Sequence, residues 1–134
     1  MLVEPAHRDD KFLGIPGGYV EPGETPYETA VRKVEDELGV SFPVGRLLVV
    51  DWAPAADDEK IVFVFEGPRL GPEDLDRIKL DPASLRGVSF HEPQDTTELL
   101  MTRLVKRIEV ATPARAARTT AYLEHGEPVD GAHG

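Results

Sequence analysis

The stretch that most constrains this chain runs from Gly17 to Val40, GGYVEPGETPYETAVRKVEDELGV. Thr25 is a good N-cap, Pro26 suits the first helical position because its missing N–H would have had no partner there, and Glu28 completes a capping box with Thr25. A helix therefore starts at Pro26. It should stop at Leu38, because Gly39 can take the left-handed conformation that ends a helix without a Cβ clash. Between those ends Tyr27, Ala30 or Val31, Val34 and Leu38 recur at three- and four-residue steps, one apolar stripe facing a core. Lys33, Asp36 and Glu37 lie on another face.

Positions three and four apart are neighbours on a helix, so the acids one turn beyond position 33 can converge on a single point in space. A hard cation such as Mg²⁺ takes oxygen ligands, often a carboxylate or two plus waters and substrate phosphates. Asp36 and Glu37 suit that task. The glycine turn at Gly17 and Gly18 leaves backbone groups uncovered, where an ion or an anion can approach closely. Taken singly, each of these residues also fits an ordinary amphipathic surface helix after a turn.

Taken together they resemble the Nudix box, G-x5-E-x7-R-E-U-x-E-E-x-G-U with U aliphatic. The pattern falls on Gly18, Glu24, Arg32, Val34, Glu37, Gly39 and Val40 at the required spacing. The resemblance implies a Nudix-like α/β/α sandwich with a mixed β-sheet, and a hydrolase that uses Mg²⁺ or Mn²⁺ to activate water against a diphosphate bond. It also implies that the Gly18 carbonyl, Asp36 and Glu37 hold the metal, while Arg32 and Glu24 form an ion pair that orients the helix acids. Catalysis would then rest on Glu37, Asp36, Arg32 and Glu24.

Two positions depart from the pattern. Asp36 stands where the family has glutamate, a mild change, and Lys33 stands where it has the glutamate directly after the arginine. A charged ammonium has three donors and no lone pair, so it cannot ligate a cation. A Lys33–Glu37 pair at i,i+4 is expected, worth only about 0.2–0.5 kcal/mol on an exposed helix. The departure implies weakened or altered catalysis.

Composition narrows the rest. The chain has 134 residues, enough for one domain, read here as 1–125 with an unstructured tail from Gly126 to Gly134. It has no cysteine, which excludes disulfides and thiolate metal sites and fits a reducing cytoplasm. No targeting signal or membrane-spanning run is present. A net charge of -10 argues against nucleic-acid polymers, which need a basic surface, and leaves small nucleotide-type substrates bridged through a divalent ion.

Before the turn, Met1 to Glu4 reads as the tail of a strand, and chains that resemble this one usually carry a further leading strand. Either the true start lies upstream, or a second copy covers the exposed edge as a homodimer. Arg8 and Lys11 in the following loop could touch phosphate or be plain surface charges. Downstream, Leu47 to Trp52 and Ile61 to Phe65 form a hairpin, the second strand an apolar run suited to burial on both faces. The acids Asp57, Asp58 and Glu59 at its tip could add a ligand or be solvated. Trp52 could stack on a base or belong to the rim. Pro72 to Ile78 reads as a short helix, Gly87 to His91 as a strand and Thr96 to Val110 as a second long helix that Thr112-Pro113 breaks or kinks. Thr119 to Leu123 could add an edge strand. Asp81 and Glu92 are candidates for a further ligand or base, and His91 for a general base or a rim residue. Arg69, Arg77, Lys79 and Arg86 are scattered and define no phosphate clamp. Two functions remain open: a metal-dependent hydrolase of a nucleoside diphosphate linked to another moiety, and a non-catalytic module that binds a nucleotide or a protein.

Overall fold

The computed structural model describes residues 1–6, 12–55, 60–83 and 85–129. In chain order it has β1 (Leu2–Pro5), α1 (Pro26–Leu38), β2 (Leu47–Trp52), β3 (Ile61–Phe65), α2 (Pro72–Arg77), β4 (Leu85–Ser89), a 3-10 turn at Pro93–Asp95, α3 (Thr102–Ala117), β5 (Ala121–Glu124) and β6 (Glu127–Pro128). The chain groups into two compact units, Met1–Gly45 with Gly67–His91 and Arg46–Glu66 with Glu92–Gly134. Among the described residues no helix is long and apolar enough to cross a membrane.

The first unit is built around α1. Thr25 caps it in a full capping box: the Glu28 N–H donates to Thr25 Oγ1 at 3.1 Å, and the Thr25 N–H donates to Glu28 Oε1 at 3.0 Å. At the other end Gly39 takes φ 72° and donates its N–H to the Glu35 carbonyl. A Cβ on Gly39 would meet the Lys79 carbonyl oxygen at 2.2 Å, because the chain beyond α2 docks there through a Lys79 N–H to Leu38 carbonyl bond of 2.8 Å. Glycine is thus required twice, for its backbone conformation and for close approach. Leu38 is buried beneath this junction, a contribution of about 1.5–3 kcal/mol. The rest of the expected stripe is shallower: Tyr27 is exposed, and Val31 and Val34 are half-buried. β1 pairs antiparallel with β4, and Val3 and Gly14 exchange two backbone hydrogen bonds of 2.8 Å, which ties the approach to the glycine turn onto β1.

The second unit is a four-stranded mixed sheet, ordered β3-β2-β5-β6, with α3 packed against β2 and β5. β2 runs antiparallel to β3 and parallel to β5. Leu48, Val49, Leu123 and Ala111 form its core. Near the end of β2, Asp51 is fully buried, accepting from Arg107 Nε at 2.7 Å and from the Gly126 N–H at 3.0 Å.

Several sequence expectations change here. β3 is an edge strand with Ile61 and Phe63 exposed rather than a strand buried on both faces. β5 lies inside the sheet instead of at its edge, because Glu127–Pro128, read as tail, pairs with it as β6. The second long helix begins at Thr102, not Thr96, since the backbone around Thr96 spends its hydrogen bonds in short turns (Leu99 and Leu100 N–H to the Thr96 carbonyl) and Met101 is extended. Pro113 lies inside α3 without ending it. Buried Ala111 and Ala114 bracket that proline, and their packing offsets the hydrogen bond it lacks. The strand expected at Gly87 to His91 starts earlier, at Leu85.

Candidate active site on the glycine turn and first helix

The site lies wholly in the first unit. Arg32 projects from α1 back over the turn, and its Nε and Nη2 donate to Glu24 Oε2 and Oε1 at 2.7 and 3.0 Å, a two-point clamp. Glu24 also accepts from the Thr29 hydroxyl at 2.7 Å and from the Glu21 N–H at 3.1 Å. The Arg32 bonds, then that of Thr29, hold the Glu24 carboxyl down at about 2. Arg32 is correspondingly raised by its bond to Glu24. The sequence pairing of Arg32 with Glu24 is therefore realised in contact, while the contribution of Thr29, buried and sitting one helical turn after Thr25, carried no signal in the pattern.

The two helix acids take different partners. Asp36 is exposed and lies 3.6 Å from Arg32 Nη1. Glu37 is mostly buried, accepts from the Gly17 N–H at 3.3 Å, and lies 3.8 Å from Lys33 Nζ. Burial pushes its carboxyl up, and Lys33 and the Gly17 N–H only partly offset that. Lys33 lies across the glycine turn: a Cβ on Gly18 would meet Lys33 Cε at 2.9 Å and Cδ at 3.1 Å, so the bare Gly18 backbone is what lets the lysine stem pass. Along the opposite side of α1 runs an open groove of about 590 Å³, lined by Glu24, Glu28, Glu35 and Asp36 with Arg32, Tyr27 and Val31.

Among the described residues no three histidine or acidic side chains converge as a ready cation cage. What is present suits a single hydrated divalent ion, which needs only one or two carboxylates. Glu37 is the more desolvated of the two helix carboxylates, with Lys33 as its neighbouring cation.

The remaining candidates sort by their contacts. Asp81 Oδ1 accepts the Ala83 N–H at 2.9 Å and forms a local turn. Glu92 is exposed ahead of the 3-10 turn, in the second unit. His91 Nε2 lies 2.8 Å from the Ser89 hydroxyl. Arg77 covers the Phe42 ring at 5.7 Å, and Arg86 donates to the Ala6 carbonyl. Trp52 meets His125 edge-on at 5.3 Å in the second unit. Arg8, Lys11, Asp57, Asp58 and Glu59 lie outside the described residues.

Similarity to known proteins bears on fold and family. Curated relatives include the diphosphoinositol polyphosphate phosphohydrolase 3-alpha of Homo sapiens, 44% identical over 50 residues, which are 37% of this chain and 30% of that one. The human diphosphoinositol polyphosphate phosphohydrolase 2 is 44% identical over 48 residues, 36% of this chain and 26% of its own. The match thus spans less than a third of either relative. Among solved structures, the E. coli ORF135 protein superposes with a TM-score of 0.67 at 21% identity, covering 87% of this chain and 81% of that one. A UDP-X diphosphatase gives 0.65 at 21% identity, covering 91% and 59%. These likenesses show a shared α/β fold with a mixed sheet. The family model for the NUDIX domain matches residues 1–113, and the chain belongs to that family.

Proposed function

We propose that this chain is a divalent-metal-dependent hydrolase that cleaves the diphosphate linkage of a small phosphorylated substrate, a nucleoside diphosphate joined to another group. The observation that carries the reading is that one capped helix sets both the Arg32–Glu24 clamp and a largely buried Glu37 held at the Gly17 N–H. Asp36, Glu37 and the Gly18 carbonyl would hold Mg²⁺ or Mn²⁺, which when bound supplies charge neutralisation and a water of lowered pKa. Water adds to one phosphorus, the P–O bond to the bridging oxygen breaks, and the proton released leaves through an acidic side chain. Glu24 stays ionised throughout because Arg32 and Thr29 hold it so. Its part is to fix Arg32, which in turn lies 3.6 Å from Asp36 and steadies that acid. The acidic surface argues for small substrates rather than nucleic-acid polymers.

A second reading is favoured by Lys33. Its ammonium neighbours Glu37 and its stem covers Gly18, where the family pattern has a negative group. On this reading the chain binds a nucleotide or a protein and cleaves slowly or not at all.

The deciding experiment measures phosphate or pyrophosphate release from nucleotide-sugars, dinucleotides, nucleoside triphosphates and diphosphoinositol polyphosphates, with Mg²⁺ or Mn²⁺, by the chain and by its Lys33→Glu variant. Turnover by both supports the hydrolase. Turnover by the variant alone supports the binding module, and silence from both sinks the hydrolase reading.

A further inference from the structure

At the C-terminal end of α3 we propose a binding site for a small anion bearing two or three phosphoryl groups, held by the guanidinium groups of Arg46, Arg115 and Arg118. The site lies wholly in the second unit and uses no residue of the α1 site, so it does not depend on the hydrolase reading.

Three observations carry it. The first is a concentration of positive charge that the composition opposes. The chain has 15 lysines and arginines against 25 acidic residues, yet three arginines and one acid, Glu66, line a single open groove of about 620 Å³, a size usual for small-ligand sites. The other residues that α3 gives to the groove, Thr112 and Ala116, are short. Cations do gather at the negative end of a helix, but that end is equivalent to only about half a charge. Counting Glu66 as well, the three guanidiniums leave the groove roughly one and a half charges positive.

The second is that donors are left over. Arg46 reaches the Ala114 carbonyl and the Thr120 hydroxyl only at 3.5 and 3.4 Å, the outer limit of a hydrogen bond. Arg115 spends Nε on Glu66 Oε1 at 2.7 Å. Among the described residues nothing accepts from its Nη groups or from the Arg118 guanidinium. Each guanidinium carries five donors in a planar fork, which matches phosphate oxygens two at a time.

The third is the backbone of Arg118. It ends α3 at φ 58° and ψ 41°, a left-handed conformation in which glycine is the unstrained choice. The chain places an arginine there, three residues after Arg115, where like charges on a helix repel. A cation set at a strained position close to another cation is accounted for when an anion joins them. Three forks and this excess of charge exceed what one carboxylate can use, and suit linked phosphoryl groups.

The test is titration calorimetry of the full chain with inorganic tripolyphosphate, in EDTA so that no divalent ion bridges the anion to an acid, with thermal unfolding measured for every variant. One tripolyphosphate should bind per chain, more weakly as salt is raised. Arg118→Gly relieves the left-handed strain, so it should unfold no earlier than the unsubstituted chain while binding about tenfold more weakly or worse. Should it unfold early, Arg118→Asn, which also tolerates this conformation, serves the same purpose. Glu66→Gln should tighten binding, and Lys33→Gln on α1 should leave it unchanged. No binding, equal binding of sulfate at the same ionic strength, full affinity in Arg118→Gly and Arg118→Asn, affinity unchanged or lowered in Glu66→Gln, or loss in Lys33→Gln would each overturn the proposal. So would binding of single-stranded RNA by a chain that ignores tripolyphosphate. A nucleoside triphosphate then identifies the source, and either result upholds the site: tighter binding than tripolyphosphate assigns it to a nucleotide's tail, and equal or weaker binding to the phosphoryl groups alone.

Discussion

Arg107 Nε meets Asp51 Oδ2 at 2.7 Å where the carboxylate has no exposed surface at all. Asp51 is tied on its other oxygen by the Gly126 N–H, so one buried acid joins β2, α3 and the turn between β5 and β6. Arg107 Nη2 is itself buried without a hydrogen-bond partner among the described residues. Cutting this pair on one side strands the other charge. Asp51→Ala is therefore expected to cost about 3–5 kcal/mol in urea unfolding, while the double change Asp51→Leu with Arg107→Met should cost much less. A single substitution as mild as the double one would show that the pair is not what holds the turn.

Gly39 is fixed by a positive φ and by the Lys79 carbonyl that closes over it. Gly39→Ala adds left-handed strain and a backbone clash together, an expected loss of about 2–4 kcal/mol. Gly17, with nothing within 4 Å of an added Cβ, serves as the control, and Gly17→Ala should leave thermal unfolding nearly unchanged. Equal losses at the two sites would contradict the close-approach argument.

How much of this was readable in the sequence follows the range of the interactions. The limits of α1 were legible because every signal for them is local: Thr25 with Glu28, Pro26, and Gly39. The Arg32–Glu24 contact was legible only through the family pattern, since the two are eight residues apart across a helix start. Asp51 and Arg107 are separated by 56 positions, and the one hint was an acid inside the apolar run LLVVDW. β5 was read as an edge because its outer partner came from a polar tail whose pairing rests on the Asp51–Gly126 bond, a tertiary contact. The start of α3 was misplaced because hydrophobic period continues through Leu100, which is buried, although the helix itself does not. At the candidate site the pattern named the acids, but not that Asp36 and Glu37 would take separate partners.

Acid should release the Glu24 clamp in a defined window. The folded carboxyl sits at about 2 against an ordinary value of 4.5. A depressed carboxylate contributes stability that is fully present above its unfolded value and is lost as pH falls through the folded one. The midpoint of thermal unfolding of the chain is thus expected to drop between pH 4.5 and about 2, and in Glu24→Gln the drop in that window should be smaller. Identical pH profiles for the two would mean that Arg32 does not depend on this carboxylate.

Glu37 has the opposite sign. Burial raises its carboxyl, so its contribution to folding is present below the unfolded value and is lost as pH rises through the folded one. At neutral pH the charged Glu37 is a burden on the fold, and Glu37→Gln, which can still accept the Gly17 N–H, is expected to raise the unfolding temperature slightly. The same change should weaken Mn²⁺ binding followed by titration calorimetry, because the destabilised carboxylate is the one that gains most from a cation. Lys33→Gln removes the ammonium 3.8 Å away and should tighten Mn²⁺ by roughly three- to tenfold. Protons compete for the same oxygens, so on acidification the affinity of the unsubstituted chain should begin to fall above the ordinary carboxylate range. Mn²⁺ affinity unchanged in both Glu37→Gln and Lys33→Gln would place the cation elsewhere and would end the assignment of Glu37 as its ligand.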